Sequence, residues 1–95
     1  MTREQIYRKR VKKGIEWLNK EEPGWIKKVR TGTLYMGSNM SCVCGQIFGD
    51  FRDMKLSTKK TRSFGFNISG REEILDFTIL TRIWRQEIRK LRKRK

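Results

Sequence analysis

Residues 70–95 read GREEILDFTILTRIWRQEIRKLRKRK, and they predict the longest helix of the chain. Side chains at intervals of three and four form one mostly apolar stripe along an α-helix. They are Ile74, Phe77, Leu80, Thr81, Trp84, Ile88 and Leu91. Ser69-Gly70-Arg71-Glu72 has the spacing of a capping box, and the basic C-terminal end complements the helix dipole. We therefore expect a helix from residue 70 to the C-terminus, about 39 Å long.

The N-terminal segment predicts a second helix. Thr2-Arg3-Glu4-Gln5 forms another capping-box pattern, and the helical spacing continues to about Asn19. Glu21-Glu22-Pro23-Gly24 ends this helix, because the residue before a proline is pushed out of the helical conformation. Pro23 then opens a short helix that carries Trp25, Ile26 and Val29. The expected buried face of the first helix comprises Tyr7, Val11, Gly14, Ile15 and Leu18.

The middle of the chain predicts short elements joined by irregular connections. Residues 31–39 contain two glycines and indicate an ordered, extended connection. Ser41 is expected to cap a short buried helix over residues 42–48, which Gly49 closes. Residues 59–63 are polar and basic and predict a mobile loop.

Together these elements predict a mainly α fold, a small single-domain helical bundle over residues 1–95. Its expected features are a long amphipathic C-terminal helix, irregular or extended connections, and a basic tip at 89–95 that projects or frays. No apolar run approaches the roughly 20 residues that span a bilayer, and MTREQIYRKR lacks the apolar stretch of a signal peptide. We expect a cytoplasmic protein with reduced thiols and no membrane partner.

The charge predicts a polyanionic partner. The chain has 24 Lys+Arg against 10 Asp+Glu, a formal charge of +14, and the bases are clustered. On the last helix, bases occupy an arc of about 100° beside the apolar stripe. Such a row suits phosphate contacts; alternatively, it is a solvated face whose stems cover the edge of the core. The row comprises Arg82, Arg85, Arg89, Arg92 and Lys93.

Two further clusters are candidates for binding DNA, RNA or an acidic partner. Arg10, Lys13, Trp17 and Lys20 share one stripe of the first helix. Trp17 is expected either to stack on a nucleobase or to pack against Pro23, Trp25 or the long helix. The second cluster, in the predicted loop, comprises Lys59, Lys60 and Arg62.

Metal binding and catalysis are not expected. The chain has no histidine, and Cys42 and Cys44 are its only cysteines, so a four-ligand zinc site within one chain lacks ligands. The missing histidine also removes the commonest general base. Acids at Asp50 and Asp53, or at 72, 73 and 76, could bind magnesium, but the latter group is better explained as acids at a helix start. We expect buried thiols, no cofactor and no enzyme activity. Gln46 is expected either to bond neighbouring backbone groups or to take part in recognition.

Several motifs resemble a family of small, uncharacterised phage and prophage proteins of Gram-positive bacteria. The resemblance covers roughly residues 17–87 and rests on Pro23-Gly24-Trp25, Leu34, Cys42-Val43-Cys44-Gly45-Gln46-Ile47-Phe48-Gly49, Gly65-Phe66 and Trp84. The family block commonly has an aliphatic residue where this chain has Cys44, which favours Cys44 as a core residue. The resemblance implies a phage accessory protein in the host bacterial cytoplasm, and it does not extend to the basic ends.

Two functions follow as expectations. The first is nucleic-acid binding through phosphate contacts with little sequence preference. The second is a counter-defence or host-takeover factor, such as an anti-CRISPR-like inhibitor, that binds a host nucleic-acid-processing protein. Salt dependence of nucleic-acid binding separates the two.

Overall fold

The computed structural model describes residues 2–68 and 75–94, and helices dominate these ranges. The α-helices are α1 (Arg3–Glu21), α2 (Val43–Phe48), α3 (Thr58–Ser63) and α4 (Leu75–Lys93). Single 3₁₀ turns occur at Trp25–Lys27 and Phe51–Asp53, and no strand is present in the described ranges. The predicted mainly α, small single-domain fold with a long C-terminal helix is confirmed.

The N-terminus of α1 has the predicted capping box. Gln5 N donates to Thr2 Oγ1 over 3.2 Å, and Thr2 N donates to Gln5 Oε1 over 3.0 Å. The helix ends at Glu21, just before Pro23, as the sequence predicts. Its predicted inner face is buried, with Ile15 only partly so; the fully buried members are Tyr7, Val11, Gly14 and Leu18.

α4 packs its apolar stripe into the core. Leu80, Trp84 and Ile88 are fully buried, and so is Ile83, which the predicted stripe omitted. The predicted capping box at 69–72 and the predicted first turn lie outside the described residues. Asp76 lies in the first turn of the described part of α4, as expected of an acid at a helix start, but it is also completely buried and bonded to α1.

α1 and α4 lie side by side and run in the same direction. Two contacts between them establish this, because they have the same offset along the chain. Arg82 Nη2 lies 2.6 Å from Glu4 Oε1, and Arg8 Nη2 donates to Gln86 Oε1 over 2.9 Å. Polar side chains of α1 therefore pair with polar side chains of α4 at successive turns along the surface that the two helices share.

A glycine allows the chain after α3 to approach α1 and α4 closely. A Cβ atom on Gly14 would collide with the backbone oxygen of Phe64 and lie 3.1 Å from the Trp84 ring. Trp84 Nε1 donates to Gly65 O over 2.7 Å in the same region. The position of Trp84 in the core therefore depends on the absence of a side chain at Gly14.

The capping residue of α2 differs from the prediction. Cys42, and not Ser41, is the N-cap, and its thiol accepts a hydrogen bond from Gly45 N over 3.2 Å. Gly49 ends the helix with φ of 99°, a conformation that glycine adopts most readily. Gln46 bonds backbone groups as predicted, because its amide donates to Arg30 O and accepts from Arg30 N.

Two short segments were predicted wrongly. Residues 59–63 form most of α3 and are not a loop, since Ser57 caps this helix at Lys60 N and Thr61 is buried. The helix expected after Pro23 is only one 3₁₀ turn, preceded by Gly24 with φ of 87°.

Candidate nucleic-acid interface

The outward face of α4 is basic. Along it lie four exposed cations, Arg82, Arg89, Lys90 and Lys93. The side chains of Arg82 and Lys90 are 54% and 65% exposed, although each has an acidic neighbour. At 1.5 Å per residue, the distance along the helix axis from Arg82 to Lys93 is about 16 Å.

Two members of the predicted row have structural partners. Arg85 is half-buried, and its guanidinium donates to Thr31 O over 3.0 Å and to Leu34 O over 3.2 Å. Arg92 donates to Ile26 O over 2.8 Å, and also to Val29 O. These two side chains attach residues 26–34 to α4. The predicted row therefore has two parts: Arg85 and Arg92 hold the fold together, and the remaining part comprises Arg82, Arg89 and Lys93.

A groove between α1 and α4 lies beside the remaining part of the row. One section, about 360 Å³ in volume, is lined by Lys12, Ile15 and Glu16 from α1 and by Glu87, Lys90, Leu91 and Arg94 from α4. A neighbouring depression of about 430 Å³ is lined by Gln86, Arg89, Lys90 and Lys93. Lys90 lines both, so the basic surface is continuous. We call this surface, together with the exposed Arg82 further along α4, the α1/α4 groove.

Acidic residues moderate the charge of this groove. Glu4 lies 2.6 Å from Arg82 and 3.9 Å from Arg8, and Glu87 lies 3.1 Å from Lys90. The two Glu4 pairs are surface pairs, which contribute little stability and leave both charges open to solvent, whereas the Glu87 side chain is only 19% exposed. Because bases outnumber acids along the groove, it keeps a positive field that attracts anions.

The predicted stripe on α1 lies against α3 and not along the groove. Lys13 and Lys20 are exposed, whereas Arg10 lies over the Tyr7 ring, 5.4 Å from its centroid. Trp17 is half-buried in an aromatic cluster. Its ring centroid lies 5.7 Å from Phe64, 5.8 Å from Phe66 and 6.2 Å from Phe48.

The ring partners of Trp17 therefore differ from those predicted. Trp25 packs on Trp84 instead, with ring centroids 6.3 Å apart and planes at 88°. Pro23 is exposed. The three phenylalanines that Trp17 meets are distant in sequence, which is why spacing within α1 did not reveal them.

The bases of α3 lie on the same side of α1 as Trp17, because α3 packs against α1. Lys59 and Lys60 are exposed, whereas Arg62 is half-buried and its Nε forms no hydrogen bond with any described residue. The predicted binding residues thus occupy two surfaces on different sides of α1. The α1/α4 groove contains Arg82, Arg89 and Lys93; the α1/α3 side carries Arg10, Lys13, Trp17, Lys20, Lys59, Lys60 and Arg62.

Sequence reasoning missed Lys12, Lys90 and Arg94 as groove residues. Lys12 belongs to a basic run spread around α1, and its place opposite Lys90 depends on the parallel packing of the two helices. Helical periodicity identifies neighbours within one helix but not across two. No pattern in the sequence therefore pointed to these three side chains as a group.

The two thiols are buried inside the fold. Burial raises the pKa of Cys42 and of Cys44 above the ordinary value of a thiol. Within residues 2–68 and 75–94, no cluster of three or more acidic, cysteine or histidine side chains is arranged to hold a metal. No helix in the described part of the chain is long and apolar enough to cross a membrane.

Comparison with known proteins yields no relative: no family model, curated protein sequence or solved structure matches this chain. The resemblance of residues 17–87 to phage and prophage proteins therefore stays a prediction.

Proposed function

We propose that this protein binds nucleic acid through the α1/α4 groove, mainly by contacting phosphates. The observation that carries the proposal is the set of exposed bases along one face of α4, Arg82, Arg89, Lys90 and Lys93, with Lys12 lining the groove from α1. One strand of a duplex has about one phosphate per 3.4 Å of helix axis, so a 16 Å line laid parallel to that axis spans about five phosphates of the strand.

The width of the surface favours backbone contacts over base readout. Two helices packed 8–10 Å apart, each about 10 Å across, make a face close to 20 Å wide. The major groove of B-DNA is about 12 Å wide and admits one helix. The paired helices therefore suit a position across the phosphate backbone, where binding carries little sequence information.

The test is the salt dependence of binding to a random-sequence duplex. Each phosphate contact contributes about 0.9 to the slope of log affinity against log salt. Replacing Arg82, Arg89 and Lys93 with alanine should lower the magnitude of that slope by about 2 to 3. The matched control replaces Lys9, Lys27 and Arg30, which are exposed, outside the groove and equal in charge. It should change the slope by less than about 1.

Three results would count against this function. A duplex, a single strand and an RNA that all fail to bind at low salt would overturn it. Equal effects of the groove and control variants would show that net charge alone attracts the ligand. A nuclease-treated pull-down from bacterial lysate that retains one stoichiometric protein, without any affinity for nucleic acid, would favour inhibition of a host protein instead.

A further inference from the structure

A second surface, on the other side of α1, contains an apolar cleft with aromatic walls. The cleft has a volume of about 460 Å³ and is lined by Trp17, Glu21, Phe48, Met54, Lys55 and Leu56. Most of its lining is apolar, and it lies beside the aromatic cluster of Trp17 and away from the α1/α4 groove.

Two aromatic rings of the cleft can reach a ligand. Phe48 is 38% exposed, and it ends α2 directly before Gly49. Trp17 is partly exposed, and its ring stacks on Phe64 with an interplanar angle of 22°. Packing against Phe64 and Phe66 holds the indole in place, so its side facing the cleft is a rigid platform. Rigid platforms of this kind bind flat aromatic groups.

Cations surround the aromatic walls. Lys55 lines the cleft itself, opposite the single acid, Glu21. Lys13 and Lys20 are exposed on α1, four residues before and three residues after Trp17, and therefore share its helix face. An occupant that combines a flat aromatic ring with negative charge on both sides matches this arrangement.

We propose that the cleft holds an unpaired base of a single-stranded nucleic acid, stacked on Trp17 with the tilted Phe48 ring against its edge, and with the neighbouring phosphates on Lys13, Lys20 and Lys55. This inference rests on the proposed function, because it assumes that nucleic acid is the ligand. Bases of a duplex are stacked inside the helix and do not reach such a cleft, whereas those of a single strand do. The cleft therefore adds a preference for unpaired segments to the non-specific attraction of the groove.

The intrinsic fluorescence of the protein can report this contact. Trp25 and Trp84 are 2% and 0% exposed, so of the three tryptophans only Trp17 is accessible to a ligand. An oligothymidylate of about 12 nucleotides should quench the emission of Trp17 on binding, because stacking brings a base onto the indole. A blunt-ended duplex without unpaired bases, added at the same phosphate concentration, should bind without quenching.

Two substitutions test the walls and the rim of the cleft separately. Phe48→Leu removes a ring but keeps apolar volume, and Lys55→Glu reverses the charge of the rim. Each should weaken binding of the oligothymidylate about tenfold and reduce the quenching, while affinity for the blunt-ended duplex changes less than twofold. Tyr35→Leu is the matched control, since Tyr35 is 41% exposed and lies outside the cleft. Unchanged melting temperatures would verify that the variants fold.

The outcomes separate this inference from the function on which it rests. If the oligothymidylate binds without quenching, or if Phe48→Leu and Tyr35→Leu behave alike, the cleft does not hold a base and the groove proposal still stands. If neither nucleic acid binds at low salt, both proposals fail. If an acidic peptide that contains phenylalanine quenches Trp17 and the oligothymidylate does not, the occupant is a protein segment.

Discussion

Tyr7 donates a hydrogen bond from its phenol to Asp76 Oδ2 over 2.7 Å, and this contact joins the beginning of α1 to the beginning of the described part of α4. Asp76 is completely buried. Its other oxygen lies 3.1 Å from Nη1 of Arg3, whose side chain is 60% exposed. A buried carboxylate without partners would oppose folding. The two donors from α1 therefore decide how that end of the helix pair is held together.

Removal of the phenol should destabilise the protein. Tyr7→Phe keeps the ring in the core but leaves Asp76 Oδ2 without this donor, which should lower the free energy of unfolding by about 1.5–3 kcal/mol. Denaturant titration measures the change. Tyr35→Phe is the control, because Tyr35 is exposed; it should cost less than about 0.5 kcal/mol. Equal stability of the two variants would contradict the structural role of the Tyr7–Asp76 bond.

Arg85 and Arg89 should differ sharply in their effects although they lie one turn apart. Arg85→Ala removes the donors to Thr31 O and Leu34 O and should lower the free energy of unfolding by about 1.5–3 kcal/mol. Arg89→Ala, at an exposed position, should lower it by less than about 0.5 kcal/mol. Thermal or denaturant unfolding checks the pair. If Arg89→Ala lost much stability and Arg85→Ala lost none, the assignment of a structural role to Arg85 and of an exposed position to Arg89 would be wrong.

The buried thiols should make the protein less stable at alkaline pH. Burial raises the pKa of Cys42 and Cys44 in the folded state, so the folded protein keeps both protons after an unfolded chain has begun to lose them. Stability is therefore fully present below the unfolded pKa of about 8.5 and falls as the pH rises above it. Denaturant unfolding between about pH 7.5 and 9.5 should show this fall.

A variant without thiols provides the comparison. Cys42→Ser replaces the sulfur acceptor of Gly45 N at the N-cap with an oxygen acceptor, and Cys44→Ala removes the second thiol. The double variant should lose less stability than the wild type over the same pH range, even though its stability at neutral pH is lower. Parallel curves for the two proteins would show that other groups cause the alkaline loss.

Local sequence patterns predicted the two long helices well. The capping box of Thr2 and Gln5 needs only neighbouring residues to form. The helical repeat likewise places Val11 with Leu18 on one side of α1, and Leu80 with Ile88 on one side of α4, and these are the sides that the fold buries. These features follow from helix geometry and from the removal of apolar surface from water. The net charge and the absence of histidine are likewise read directly from the sequence.

Short helices were harder to predict because little of their stability is local. α3 is six residues long and polar, and its sequence alone favoured a loop. Isolated helices of that length are unstable in water, so burial of Thr61 and packing of Phe64 on Trp17 decide the conformation. The predicted cap of α2 was one residue too early for a related reason. A thiol is a weak acceptor, and Cys42 accepts the hydrogen bond from Gly45 N because the fold buries the two groups together.

The basic residues show most clearly how far sequence determines this protein. Their number and their place on one flank of α4 follow from the order of residues and the helical repeat. The sequence does not determine which of these bases face solvent, because Arg85 and Arg89 have the same chemistry and nearly the same helical position. Only the folded chain brings Thr31 O and Leu34 O to Arg85, and only the parallel packing of α1 places Lys12 opposite Lys90. Helix periodicity is a local property, whereas these contacts join segments that lie far apart in the chain.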